Sequence, residues 1–506
     1  MTKQSSWRLA GIMLLGLALR CIALQVRSIQ YDDAFSIFLA AKSLPAIITG
    51  TAADTMPPLY YFLLHFWIQL GGNGLVWLRL LSVILSLVCV WILYLLVRDL
   101  AGETAGLWSA LLAAFSPLQI YHAQDLRMYA LLALAQLGYA WFFVRIWHPQ
   151  DRDPQNRDAK REEKGFPSNW GDWLGLIVCG SAAMYSHNLA IFVLAVPSAF
   201  LLVRREWRKL GQLLLAQLAI GLVALPWLVL VPGQVAKIQT AFWTPQPGIV
   251  EILQAFVILV TQLPLPETWL VGGLTLSLLV MGFVLLETVR LVLKRSFPWF
   301  LLVLTGLPPG LLFVASYLMR PVFVPRGFLA AALGFLGVSG FIIAKFWRQT
   351  PSFLILGGLV AGAVIGLPFH YTFNEFPRSP FQPAMAFIQS QLQSGDRVVH
   401  DNKLSFFPSH YYAPDVSQSF LGDDPGSPND TLAPASQEAL GLFPAISLAQ
   451  AVGDARRIFF VVFSGVVQEY RQAGFSDHPQ VTWLKGMYPH VSETQFNDLI
   501  VYQFSQ

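Results

Sequence analysis

Two adjacent carboxylates, Asp32 and Asp33, stand in "QYDDAF" directly after an apolar run, in a chain where 12% of residues are charged and 55% are hydrophobic. Further along, "YHAQDLRMYA" places His122, Asp125, Arg127 and Tyr129 between two apolar runs, His187 closes another, and Arg320 and Arg326 flank "PVFVP". Ionisable groups beside a membrane are costly to hold there and mark functional sites. A carboxylate next to a second acid has its pKa raised, which suits it to take a proton from a hydroxyl nucleophile. Guanidinium forks hold phosphate through paired hydrogen bonds and neutralise the charge that builds on a phosphate leaving group. Together these groups describe transfer from a lipid phosphate to an acceptor alcohol or amine. Were the transferred group a sugar, the acid would lie opposite the phosphate across an oxocarbenium-like transition state, and a single displacement would invert the anomeric centre.

Each residue also has a plainer reading. A lone acid at a helix end marks the water boundary, an account that two adjacent acids weaken. Arg127 alone would be a snorkelling interfacial side chain. His122 and His187 lack HxH or HxxxH spacing and read as local hydrogen-bonding partners rather than metal ligands. Cys21, Cys89 and Cys179 all fall inside apolar runs and read as small core hydrophobes.

The elements that position these groups are membrane helices. Soluble chains carry about 25% charged residues, twice the fraction found here, and stretches of ~20 apolar residues span a bilayer. Apolar runs occupy 8–26, 76–97, 104–121, 127–147, 172–187, 189–203, 210–231, 269–290, 297–317, 326–344 and 351–369. The expected fold is therefore an all-α polytopic membrane domain, residues 1–369, of about eleven crossings. Lysine and arginine gather at Lys3 and Arg8, at Arg98, from Arg145 through "DRDPQNRDAKREEK", at 204–209, at Arg290, Lys294 and Arg295, and at Lys345 and Arg348. The positive-inside rule then puts the N-terminus in the cytoplasm of an inner membrane, and an odd number of crossings puts residues 370–506 outside. The inner loop 148–170, rich in charge and proline, reads as a solvated linker. Residues 57–70 and 249–264 are too short to cross and are expected as juxtamembrane helices on the outer face, the first roofing the acid pair. In the tail, "DRVVHD", "RIFFVVFS" and the amphipathic 383–395 alternate strand and helix, so a small extracytoplasmic α/β domain is expected. A net charge of +4, with basic residues clustered between apolar runs, argues against a nucleic-acid partner.

The ordered set "YDDAF", "PPLYYFLLHFW", "LRLLSVILSL" and "SPLQIYHAQDLRMYALLAL" resembles the N-terminal half of GT-C glycosyltransferases related to protein O-mannosyltransferases and lipid A aminoarabinose transferases. "RPVFVPRGFLAA" is similar to that family's late loop, and "FQPAMAFIQSQLQSGDRVVHDN" with "PSHYY" to the outer domain of its bacterial members. The resemblance implies a sugar carried on a polyprenyl phosphate and delivered on the outer side to a glycan, lipid or protein acceptor. It implies Asp32 as catalytic base, Asp33 as supporting acid, and Asp125, Arg127 and Tyr129 shaping the site and meeting the donor phosphate. Tyr60 and His187 are taken with them as substrate contacts, and Arg320 and Arg326 match basic positions near the lipid phosphate. Met56 stands where many relatives have His or Lys, and Gly327 where Tyr is common. A divalent cation held by Asp32 and Asp125 and a metal-free site are both open at this level. The rival expectations are a polytopic lipid or glycan transporter, with ionisable groups at mid-membrane and paired broken helices, and a scaffold that needs no acid pair beside arginines.

Overall fold

The computed structural model describes residues 3–147, 170–240, 244–319, 321–424, 426–427 and 429–506. The linker expected at 148–170 lies outside these but for its last residue, as does Arg320. Every expected apolar run has a helical counterpart, from Lys3–Cys21 and Leu75–Ala101 through Tyr129–Trp147 to Leu329–Lys345 and Thr350–Thr372. Among the described residues, seven helices are long and apolar enough to cross a membrane. Others are shorter, such as Trp170–Met184 and Ile191–Val203. The helix expected over 104–121 breaks into Glu103–Phe115 and Pro117–Ala123, with Ser116 extended between them. Proline explains the break: it has no N–H to continue the ladder and drives the preceding residue out of the helical region, yet it opens a new helix readily.

The two segments expected as juxtamembrane helices form helices Leu59–Gly71 and Ile249–Val260, 13 and 12 residues long. At about 1.5 Å per residue neither reaches the ~30 Å of a hydrocarbon core. Small residues let other helices approach closely: a Cβ at Gly340 would lie 2.6 Å from the Ser109 backbone nitrogen, and one at Gly366 only 1.8 Å from the Thr261 carbonyl. Such contacts replace the hydrophobic drive that lipid does not supply.

The tail folds on a five-stranded sheet of order β2-β1-β3-β5-β4, with β1 Arg397–His400, β2 Gln418–Phe420, β3 Arg457–Phe463, β4 His490–Phe496 and β5 Leu499–Ser505. Strands β2, β1 and β3 are parallel, and the β4–β5 hairpin adds antiparallel to β3. β3 is buried along nearly its whole length, as a central strand covered on both faces requires. Two helices of the tail lie against the N-terminal elements. Lys403–Tyr412 packs on Tyr31–Ala40, with Phe407 edge-on to Tyr31 at 5.0 Å, and Pro434–Leu440 packs on Leu44–Asp54, where the Ser436 hydroxyl donates to the Gly50 carbonyl at 3.1 Å.

Asp401, just after β1, accepts from the Ser405 hydroxyl at 2.9 Å, yet burial pushes its carboxyl up from 3.8 to about 7. The raised folded-state value means the unfolded chain releases this proton first, so the group costs stability progressively as pH rises from about 4 to about 7 and no further above that. Burial lowers neighbouring His400 to about 3, an effect of opposite sense that costs stability as pH falls below the ordinary histidine value. Comparison with Asp401→Asn isolates the acid. Melting curves of the purified protein should show the variant gaining on wild type as pH rises from about 4 to about 7; a gap independent of pH would refute the assignment.

Candidate active site

The acid pair opens the helix Tyr31–Ala40, so both carboxylates sit in its first turn, where the helix dipole favours negative charge. Neighbours in a helix do not share a face, and the two acids consequently meet different surroundings. Asp33 is fully buried. Its Oδ1 accepts from the Leu126 backbone N–H at 3.0 Å, and its Oδ2 accepts from the Gln30 N–H at 3.2 Å and from Arg378 Nη1 at 2.6 Å. Asp32 keeps 39% of its side chain exposed, and its Oδ2 lies 4.0 Å from Arg127 Nε.

Asp125 is also enclosed. Its Oδ1 takes Arg378 Nη2 and lies 3.6 Å from Arg27 Nη2, while its Oδ2 is 3.2 Å from His122 Nδ1. Burial alone would raise this carboxyl, but Arg378, with His122 and Arg27, outweighs burial and holds it well below the usual carboxylate range. Arg127, 4% exposed, donates from Nη1 to the Ser36 hydroxyl at 3.3 Å and the Tyr61 hydroxyl at 3.2 Å. Burial would lower its pKa, yet the charge of Asp32 keeps it firmly protonated.

The remaining expected residues gather around Arg127. Tyr129 is buried with its ring 5.0 Å from His122 and 6.5 Å from His187. His187 caps a 3-10 turn, its Nδ1 accepting from the Leu189 N–H at 3.1 Å. Burial, then the charges of Arg326 and Arg127, lower it to about 3. It is thus a neutral imidazole whose other nitrogen, Nε2, carries the proton as a hydrogen-bond donor. Arg326 sits in the turn Pro325–Phe328, between Phe323 and Phe328, whose rings help line an almost wholly apolar cavity of about 360 Å³ with Ala255, Phe313 and Ala331. Tyr60 is wholly buried behind the site, edge-on to Tyr61 at 6.1 Å.

Asp32, Arg127, Tyr129, His187 and Arg326 therefore share one region, with Asp33 and Asp125 bound beneath it to a common guanidinium. A cation bridging Asp32 and Asp125 does not fit this arrangement, because the Asp125 oxygens already face two arginines and a histidine. Among the described residues no three His, Cys, Asp or Glu side chains gather as a metal-holding group. Sequence reasoning missed Arg378, Arg27 and Arg79. Arg79 is fully buried, donating to the carbonyls of Leu24 at 2.6 Å and Ser28 at 3.4 Å. The signal was present: "FPRSP" puts an arginine between prolines just past the last apolar run.

Similarity to known proteins follows the same lines. Residues 55–155 match the dolichyl-phosphate-mannose-protein mannosyltransferase family. The fold is similar to that of ArnT from Cupriavidus metallidurans in the apo state, at 14% identity and a TM-score of 0.62, covering 99% of this chain and 98% of that one. It is equally similar to ArnT bound to undecaprenyl phosphate, at 13% identity and a TM-score of 0.63 over the same shares. The Archaeoglobus fulgidus oligosaccharyltransferase tethered with an acceptor peptide matches at 12% identity and a TM-score of 0.53, covering 100% of this chain and 74% of that one. No curated protein sequence matches the chain. The chain is a multi-pass membrane protein with the GT-C glycosyltransferase fold.

Proposed function

We propose that this protein transfers a sugar from a polyprenyl phosphate to a glycan, lipid or protein acceptor, with inversion, on the extracytoplasmic side of an inner membrane where residues 370–506 reside. The observation that carries the reading is the contrast among three acids: Asp33 and Asp125 are buried and share Arg378, whereas Asp32 keeps an open face beside Arg127. Asp32 takes the proton from the acceptor hydroxyl or amine as that atom attacks the anomeric carbon. The bond from that carbon to the phosphate oxygen breaks, and its electron pair leaves on the phosphate. Arg127, Arg326 and the neutral His187 N–H stabilise that charge. The apolar cavity lined by Phe323 and Phe328, the aromatic residues that bracket Arg326 in sequence, suits isoprenoid units. ArnT bound to undecaprenyl phosphate shares the fold, which supports a donor of this class.

The test is turnover in proteoliposomes loaded with a panel of radiolabelled undecaprenyl-phosphate sugars, read as release of undecaprenyl phosphate, together with lipid extracts of cells lacking the protein, where the donor should accumulate. Filling the cavity gives a second expected result. Ala331→Trp places an indole where isoprene units would lie and should raise the donor KM by about tenfold or more, equivalent to ~1.4 kcal/mol of lost binding. An unchanged KM would remove the lipid from this cavity.

A further inference from the structure

We propose that Arg378, which belongs to none of the elements carrying the site acids, is a positioning residue for Asp32, and that Asp498 at the tip of the β4–β5 hairpin sets Arg378 in turn; this rests on Asp32 as base.

Asp32 makes few contacts of its own, so its direction follows the orientation of the helix that begins at Tyr31. That N-terminus is held by Asp33, and two of the bonds on Asp33 leave the helix: one to the backbone of Leu126 and one to Arg378. The other arm of the Arg378 fork engages Asp125, two residues before Arg127. Nη1 also donates to the Ser28 carbonyl at 3.0 Å. One planar group therefore ties the strand of chain entering the Asp32 helix to the loop that delivers Arg127, and fixes the spacing between base and guanidinium. A fork of fixed geometry is needed; the single ammonium of lysine does not engage two carboxylates in this way.

Arg378 lies in the segment between the last long helix, which ends at Thr372, and the helix beginning at Phe381. That segment is pinned from the sheet. Asp498 Oδ2 accepts from the Phe376 N–H at 2.7 Å and from the Ser379 hydroxyl at 2.6 Å, and the Asn497 side-chain amide donates to the Asn374 carbonyl at 3.3 Å. A second tie runs parallel to it: the Ile29 N–H donates to the Tyr412 hydroxyl at 3.2 Å. The tail thus grips the base-bearing helix at its entry, through charge and through an aromatic hydroxyl. A tail that only recognised a partner would need neither.

The experiment compares Arg378→Lys, Asp498→Asn and Asp32→Asn in the full chain in nanodiscs, measuring binding of tritiated undecaprenyl phosphate and, on whichever donor of the panel wild type uses, kcat and KM separately. Misplacing a base by about 1 Å costs about a hundredfold, so Arg378→Lys should lose about that much in kcat and Asp498→Asn about tenfold, with donor KM and probe binding unchanged. A general structural defect would instead lower the amount of probe-binding protein. Should Arg378→Lys aggregate, Asp498→Asn, made in the sheet hairpin, carries the test. A kcat for Asp498→Asn equal to wild type, or a loss confined to KM, overturns the proposal while an inactive Asp32→Asn leaves the base assignment standing. Full activity of Asp32→Asn removes the base assignment itself.

Discussion

Asp32→Asn is expected to lower single-turnover sugar transfer by about 10²–10⁴-fold, the usual contribution of a positioned general base, without weakening binding of undecaprenyl phosphate. The amide is close to isosteric and still faces Arg127, so the pocket keeps its shape, but it cannot take the acceptor proton. The loss of a negative charge opposite the developing oxocarbenium adds to the same deficit. Asp32→Glu should retain part of the activity, because its carboxylate is intact and displaced by one methylene. The measurement is radiolabel transfer from the donor in the first turnover, with purified protein at equal folded concentration. Transfer by Asp32→Asn at the wild-type rate would sink the mechanism.

The membrane helices were legible because a bilayer demands long apolar runs and hides little else. The failures were local. The run 104–121 hides a break at Ser116–Pro117, since a single proline barely lowers the mean hydropathy of a long apolar run while its geometry ends the helix. In the tail, β1 and β3 were readable because "RVV" and "RIFFVVF" are buried on both faces, but β4 is an exposed edge strand whose polar sequence "HVSETQF" lacks that signature. Its partner β5 mixes buried and half-exposed positions, and "ND" at 497–498 is a hairpin turn signal that was available.

The site divided in the same manner. Asp32, Asp33, Asp125 and Arg127 announced themselves as charges in a chain poor in charge, and motif order grouped them. What spacing could not say was which acid faces outward, because that depends on a contact spanning 345 positions of sequence between Asp33 and Arg378. Arg79, fully buried, donates from both terminal nitrogens to backbone carbonyls, a role without any periodic signature. A buried arginine and a snorkelling one look alike until the fold supplies the partner.

The adjacent acids give the sharpest separation of the two roles. Asp33→Asn keeps one acceptor oxygen but points an amide donor toward Arg378, leaving a fully buried guanidinium with one carboxylate in place of two. Removing one partner of a buried ion pair costs about 3–5 kcal/mol, because the remaining charge has been stripped of water and loses its compensation. Asp33→Asn should therefore show a clearly lowered melting temperature in detergent, whereas Asp32→Asn removes a charge 4.0 Å from Arg127 on a side chain that is 39% exposed, and water on that open face should hold the loss to about 1 kcal/mol. A double-mutant cycle of Asp33→Asn with Arg378→Met tests the cause directly: the second substitution removes the stranded charge, so the pair should be less destabilised than the sum of the singles by up to about 3 kcal/mol. Additive losses would mean that Asp33 stabilises the protein mainly by holding the Gln30 and Leu126 amides, and that the ion pair adds little. The same chemical change at neighbouring positions is thus expected to remove catalysis in one case and stability in the other, which is the consequence of one helix turn directing its two carboxylates to opposite sides.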